Sequence, residues 1–202
     1  MQFPFSILPF IFCSNLKFRV LVFCKFFIII YLISITYSHA DNKDKIIKKL
    51  QNTENLNFKF EQNINGKIEN GNCTIQYPKK IYCKYIKNNK ILVSNGKSLV
   101  IKTISSFYRY PLKKTPLNLI LDKSFLISRI PYLKEEMINT SYINFKILEN
   151  DNEFNIFFDS ETFNLIGWQT KDIYQNVNVT YLSSIEVNQQ VDKDLFKLPI
   201  QN

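Results

Sequence analysis

Residues 77–103, YPKKIYCKYIKNNKILVSNGKSLVIKT, followed by residues 115–121, TPLNLIL, decide the fold of this chain. Runs rich in Ile, Leu, Val and Tyr are punctuated by Pro78, Asn88-Asn89 and Asn95-Gly96. Asn-Gly between β-forming runs is the strongest short-range hairpin signal, because both residues tolerate positive φ. The segment therefore reads as a β-meander. Cys73, Ile75 and Tyr77 alternate before Pro78, and Ile81, Cys83 and Tyr85 alternate after it, so one face of that hairpin carries all six. Across the Asn95-Gly96 turn, Ile91 to Val93 pair with Leu99 to Ile101.

Upstream the period is also two: Leu56, Phe58, Phe60, Gln62 and Ile64 alternate with polar residues, and Asn65-Gly66 and Asn70-Gly71 read as turns. Residues 41–51 read as a short amphipathic helix with Ile46, Ile47 and Leu50 on one face. Downstream, Leu117, Ile120 and Leu121 fall at helical spacing behind Thr115 as N-cap and Pro116 at the first helical position. A second helical piece is expected over residues 124–137, with Phe125, Ile127 and Ile130 on one side and a break or turn at Pro131. Strands resume in YINFKIL (142–148), EFNIFF (153–158), NLIGWQT (164–170) and IYQNVNVTYLSSIEV (173–187), and Leu195-Phe196-Lys197-Leu198-Pro199 reads as a closing short strand. The expected class is mainly β (α+β): a single curved antiparallel sheet forming an incomplete barrel, with helical lids over a hydrophobic cavity.

Residues 1–40 are set apart as a cleaved signal peptide. Residues 26–36, FFIIIYLISIT, have the length of its apolar core, Lys17, Arg19 and Lys25 precede them, and Tyr37-Ser38-His39-Ala40 offers small residues where a signal peptidase reads. An uncleaved membrane anchor is the alternative, since residues 20–36 are interrupted by Lys25 alone. Cys24 follows Phe23, so no lipid-attachment motif is present. Residues 41–202 then form one domain. Removing Lys17, Arg19 and Lys25 from the 26 basic residues leaves 23 against 17 acids, a net charge of +6.

The charge reads mainly as a solvated lysine surface, although Lys43, Lys45, Lys48, Lys49, Lys79, Lys80, Lys84, Lys87 and Lys90 bias one end toward an acidic partner or an anionic bilayer. His39 is the only histidine and lies before residue 41, which removes Ser-His and Cys-His pairs and imidazole metal sites from the mature chain. Cys73 and Cys83 are too few for a structural zinc, and the four glycines are scattered singly. Glu135-Glu136 and Asp151-Glu153 read as solvated carboxylates. No catalytic residue, metal or cofactor is expected. Cys73 and Cys83 lie symmetrically about the Pro78 turn, which sets them opposite each other and suggests a cross-strand disulfide or, alternatively, two small buried thiols.

At several ordered points the chain resembles the outer-membrane lipoprotein carrier (LolA) family. Phe58, Phe60 and Gln62 match its F/F-x-Q strand, Gly71 and Pro78 its G…P hairpin, ILVSNGKSL (91–99) its ILVSDGKTL turn, Thr115-Pro116-Leu117 its TP lid, and Asp192 and Phe196 its closing D-x-x-x-F. The resemblance covers roughly residues 44–198. It implies an eleven-stranded incomplete barrel and a periplasmic, non-enzymatic carrier. Its implied partners are acylated lipoproteins, an ATP-driven release complex in the inner membrane and an outer-membrane acceptor. A monomer that binds no nucleic acid is expected. Under that reading the cavity is lined by Phe58, Phe60, Ile75, Tyr77, Ile81, Tyr85, Leu99, Ile101, Leu117, Ile120, Phe158 and Trp168, each of which has a counter-reading as ordinary core. The family commonly carries an arginine just before the hairpin proline, where it holds the lid shut; here that position is Tyr77. The same half-barrel also admits general lipid binding or envelope-stress sensing, and a secreted β-rich hydrolase is the reading from a different class.

Overall fold

The computed structural model describes residues 41–149, 152–171 and 175–201. The signal-peptide reading, with His39 and Cys24, falls outside them, as does Asp151.

Eleven antiparallel strands form one open sheet in the order β6-β5-β4-β3-β2-β1-β11-β10-β9-β8-β7. These are β1 (Asn55–Ile64), β2 (Lys67–Gln76), β3 (Lys80–Tyr85), β4 (Ile91–Asn95), β5 (Ser98–Lys102), β6 (Phe107–Pro111), β7 (Glu135–Ile138), β8 (Tyr142–Glu149), β9 (Asn152–Asp159), β10 (Leu165–Lys171) and β11 (Val177–Val187). The first and last strands pair at the centre, and β6 and β7 are the two free edges. Helices α1 (Asn42–Gln51), α2 (Leu117–Ile120) and α3 (Lys123–Arg129) lie against one face.

Alternation explains that face. Leu56, Phe58 and Phe60 from β1, Cys73 and Ile75 from β2, and Ile81, Cys83 and Tyr85 from β3 are all at most 7% exposed. They share a core with Ile143, Phe145 and Ile147 from β8, Phe154, Ile156 and Phe158 from β9, and Ile46, Leu50, Ile120, Leu126 and Ile130 from the helical segments.

Several expectations need correction. Asn70-Gly71 is no turn but lies inside β2, with Gly71 opposite Phe60 on one side and Tyr85 on the other. A Cβ there would lie 2.6 Å from the Phe60 ring and 2.3 Å from the Lys84 carbonyl oxygen, so the glycine exists to let the ring cross the strand. At the β4–β5 hairpin, Ser94 faces Leu99 and Gly96 alone has positive φ, +94°, which makes Gly96-Lys97 the central pair. Asn95 works instead through its side chain, whose Oδ1 accepts from the amides of Lys97 and Ser98.

The helix expected over residues 124–137 ends at Arg129, a 3-10 turn at Ile130–Tyr132 follows Pro131's restriction, and Glu135–Ile138 is an edge strand. Its buried side is centred on Leu126 and Ile130, with Phe125 and Ile127 flanking. Thr115 does not cap α2; Pro116 occupies that place and the Thr115 hydroxyl donates to the Leu112 carbonyl at 2.8 Å. The C-terminal segment forms no strand. It turns through Asp192 and Asp194 and crosses the outer face of the sheet, where Phe196 is buried and Lys80 Nζ stands 5.8 Å from its ring.

Candidate functional site

A cavity of about 250 Å³ lies between the inner face of the sheet and the start of the lid. Phe60, Ile81, Tyr85, Leu92, Leu99, Ile101 and Trp168 give it an apolar body, and Pro116 and Leu117 border it from the lid side. The residues that border its other end are strand termini: Gln62 of β1, Thr170 and Lys171 of β10, and Asn178 and Thr180 of β11.

These polar residues are partly tied together. The Tyr85 hydroxyl donates to Gln62 Oε1 at 3.1 Å, and Gln62 Nε2 donates to Thr180 Oγ1 at 3.2 Å. Burial pushes the Tyr85 phenol upward, with the Glu69 carboxylate adding to it. Lys90 Nζ sits 3.7 Å from the Tyr85 ring centroid and pairs with Glu69, which Lys67 also approaches at 3.3 Å. Burial would raise the Glu69 carboxyl, but its two lysines outweigh that and hold it below the ordinary range. Lys171 is turned away to Glu153 at 3.1 Å. Asn178 Oδ1 is buried with no hydrogen-bond partner among the described residues.

Seven expected residues border this cavity: Phe60, Ile81, Tyr85, Leu99, Ile101, Leu117 and Trp168. Phe58, Ile75, Tyr77, Ile120 and Phe158 do not; all five are buried in the packed core, because the helices fill the remainder of the inner face. Leu92, Thr115, Pro116 and the polar strand ends were missed. Alternation from Ile91 places Leu92 on the opposite face from Val93, a signal that was available, whereas nothing local marks Thr170 or Asn178. Cys73 and Cys83 face each other in register, are joined as a disulfide in the structure and border the cavity.

The Tyr77 hydroxyl makes no hydrogen bond to the lid among the described residues. It is buried with no hydrogen-bond partner among them, and burial drives its pKa up. The neighbouring turn residue Lys79 reaches the lid instead. Its amide donates to the Leu121 carbonyl at 2.9 Å and its ammonium pairs with Asp122 at 3.1 Å. Asp122 in turn caps α3 by accepting from the Phe125 amide at 3.2 Å.

Among the described residues, the carboxylates singled out in the sequence are engaged with neighbouring side chains. Glu135 accepts from Asn42, Glu136 pairs with Lys134, and Glu153 is bridged by Lys146 and Lys171. Among the described residues no group of three or more His, Cys, Asp or Glu could hold a metal, and no helix is long and apolar enough to cross a membrane.

Solved structures with similarity include a DUF1329 family protein from Desulfovibrio piger, 7% identical with a TM-score of 0.42 over 77% of this chain and 95% of that one. A LolA superfamily protein from Nitrosomonas europaea is 10% identical with a TM-score of 0.39 over 77% and 97%. MucB is 10% identical with a TM-score of 0.36 over 79% and 62%. A search of curated proteins found no match. The sequence model described as outer membrane lipoprotein carrier protein LolA matches residues 51–199, and with more than half of the chain so matched, the chain belongs to the LolA family.

Proposed function

We propose that this protein is a periplasmic carrier that takes up the acyl chains of lipoproteins released from the inner membrane and delivers them toward the outer membrane. The observation that carries the reading is the cavity: an apolar space against an open sheet, bordered by a short helix that is held by a few polar contacts. Burying a methylene gains about 0.8 kcal/mol, so a sixteen-carbon chain gains roughly 12 kcal/mol and does not exchange freely through water. A carrier removes that barrier by offering an apolar site that can open.

The cavity of about 250 Å³ lies just below the usual range of roughly 300–1,000 Å³ for ligand pockets. Under this proposal the cavity as it stands admits part of one chain, and a lipoprotein with several chains requires the lid to move. That size also favours a second reading, a general binder of single-chain lipids. The release complex and the outer-membrane acceptor belong to the proposal as partners implied by the family.

Leu117 borders the cavity and is only partly buried at the edge of the core, so replacing it by Trp fills the space. The proposal predicts that Leu117→Trp lowers affinity for a sixteen-carbon fatty acid at least about tenfold while thermal unfolding stays within a few degrees of wild type. Undiminished binding in that variant, or no binding by the wild type, would place acyl chains elsewhere.

A further inference from the structure

Every branched aliphatic side chain among the exposed large hydrophobics of the described residues lies at one end of the sheet. The connections β1–β2, β3–β4, β5–β6, β8–β9 and β10–β11 all fall at that end, because the strands are antiparallel and follow the observed order. Ile68 stands at the start of β2, Ile86 in the β3–β4 turn, Ile104 in the β5–β6 turn, Leu148 near the end of β8 and Val177 at the start of β11. Their exposures are 49%, 74%, 81%, 68% and 38%. Ile200, 81% exposed, joins them, since its carbonyl accepts from Lys102 Nζ at the end of β5. The opposite end has the Pro78 hairpin, the Gly96 turn and the attachment of α1.

The polar end of the cavity is at the same place. Tyr85 closes β3, Leu92 is second in β4, Ile101 is next to last in β5, Lys171 closes β10 and Asn178 is second in β11. Thus a ring of single aliphatic tips surrounds the strand ends that border the cavity.

Charge is segregated too. From residue 70 to residue 121 there is no acid, while Lys79, Lys80, Lys84, Lys87, Lys90, Lys97, Lys102, Arg109, Lys113 and Lys114 are all basic. That segment is most of β2 and all of β3 to β6, and Lys84, Lys87 and Lys102 are at the aliphatic end, where Lys90 is held by Glu69.

We propose that this end is a membrane-docking rim: the aliphatic tips enter the interface of a bilayer containing anionic phospholipid, and Lys84, Lys87 and Lys102 meet its headgroups. The surface chemistry selects a bilayer over a protein partner. Protein interfaces are depleted in lysine, and their energetic centres favour Trp, Tyr and Arg over Leu and Val. Scattered Ile, Leu and Val with surrounding lysines suit a bilayer, where each basic residue near an anionic surface adds to the attraction. The inference deepens the carrier reading, on which its biological use rests: docking by this end would set the cavity's polar border against the lipid surface.

Trp placed at the rim reports docking directly. Ile104→Trp and, at the opposite end, Lys97→Trp are each mixed with vesicles of zwitterionic lipid alone or with anionic phospholipid, the latter brominated along its chains as a quencher. The proposal predicts quenching for Ile104→Trp with anionic vesicles and none above wild-type background for Lys97→Trp. It also predicts at least about fivefold weaker flotation with anionic vesicles for the Ile86→Ser, Ile104→Ser double variant than for wild type. Residues 1–40 are identical in all of these proteins, so any membrane affinity they contribute does not alter the quenching contrast. Equal quenching at both ends, no quenching at residue 104, or undiminished flotation of the double variant would overturn the rim. Fatty-acid binding by the same samples is a separate reading: a protein that binds fatty acid and fails to dock contradicts the rim alone, and one that docks without binding fatty acid contradicts the carrier alone.

Discussion

Tyr77 is a phenol in a place that gives it no hydrogen bond. A buried unsatisfied hydroxyl costs about 1–3 kcal/mol of desolvation, and removing it leaves the ring's apolar packing in place. Tyr77→Phe is therefore expected to leave stability unchanged or raise it by up to about 1 kcal/mol, as read by urea unfolding. A loss of more than about 1 kcal/mol would mean that the hydroxyl holds something. Glu69 behaves oppositely. Its folded pKa lies below the ordinary 4.5, so its contribution is present above the unfolded pKa and disappears as pH falls through the folded one. Between pH 6 and pH 3 the wild type should lose more stability than Glu69→Gln, with the difference developing below about pH 4.5; parallel pH profiles would contradict the lysine pairing.

At the scale of elements, the lid is secured at the junction of α2 and α3. Asp122 both caps α3 and pairs with Lys79, a cap being worth about 1 kcal/mol and a partly exposed pair at most about 1 more. Asp122→Ala should destabilise by about 1–2 kcal/mol and speed amide exchange in α3 relative to the β8–β9 hairpin. Unchanged exchange in α3 would show that packing of Leu126 and Ile130 alone holds the lid.

What was legible follows the same physics. The alternation from Leu56 to Ile64 and the six-residue face about Pro78 declare themselves, because half-buried strands must alternate. Asn70-Gly71 misleads, since a glycine that admits Phe60's ring from a neighbouring strand looks locally like a turn. The edge strands FYRYP and EEMI escape for another reason: with little burial on either face, they carry no period to read. The cavity was legible only in part, because Phe58 in the packed core and Phe60 at the cavity share one strand face, and the helices decide which is covered.

For the whole molecule, the open sheet is the consequential feature. Strands β6 and β7 are not paired with each other, so the inner face can widen without breaking a ladder, while β1 and β11 pair at the centre and fix the scaffold. The helices fill one part of that face and leave a small cavity in the other, with the lid at its border. A filled core would have no use for such a division. The measurement that tests this most directly is mass spectrometry of organic extracts, and of co-eluting protein, from the chain purified out of a native envelope fraction. The carrier account predicts acylated lipoprotein in near-stoichiometric amount. Protein free of lipid, which also fails to take up lipoprotein from spheroplasts, would contradict it.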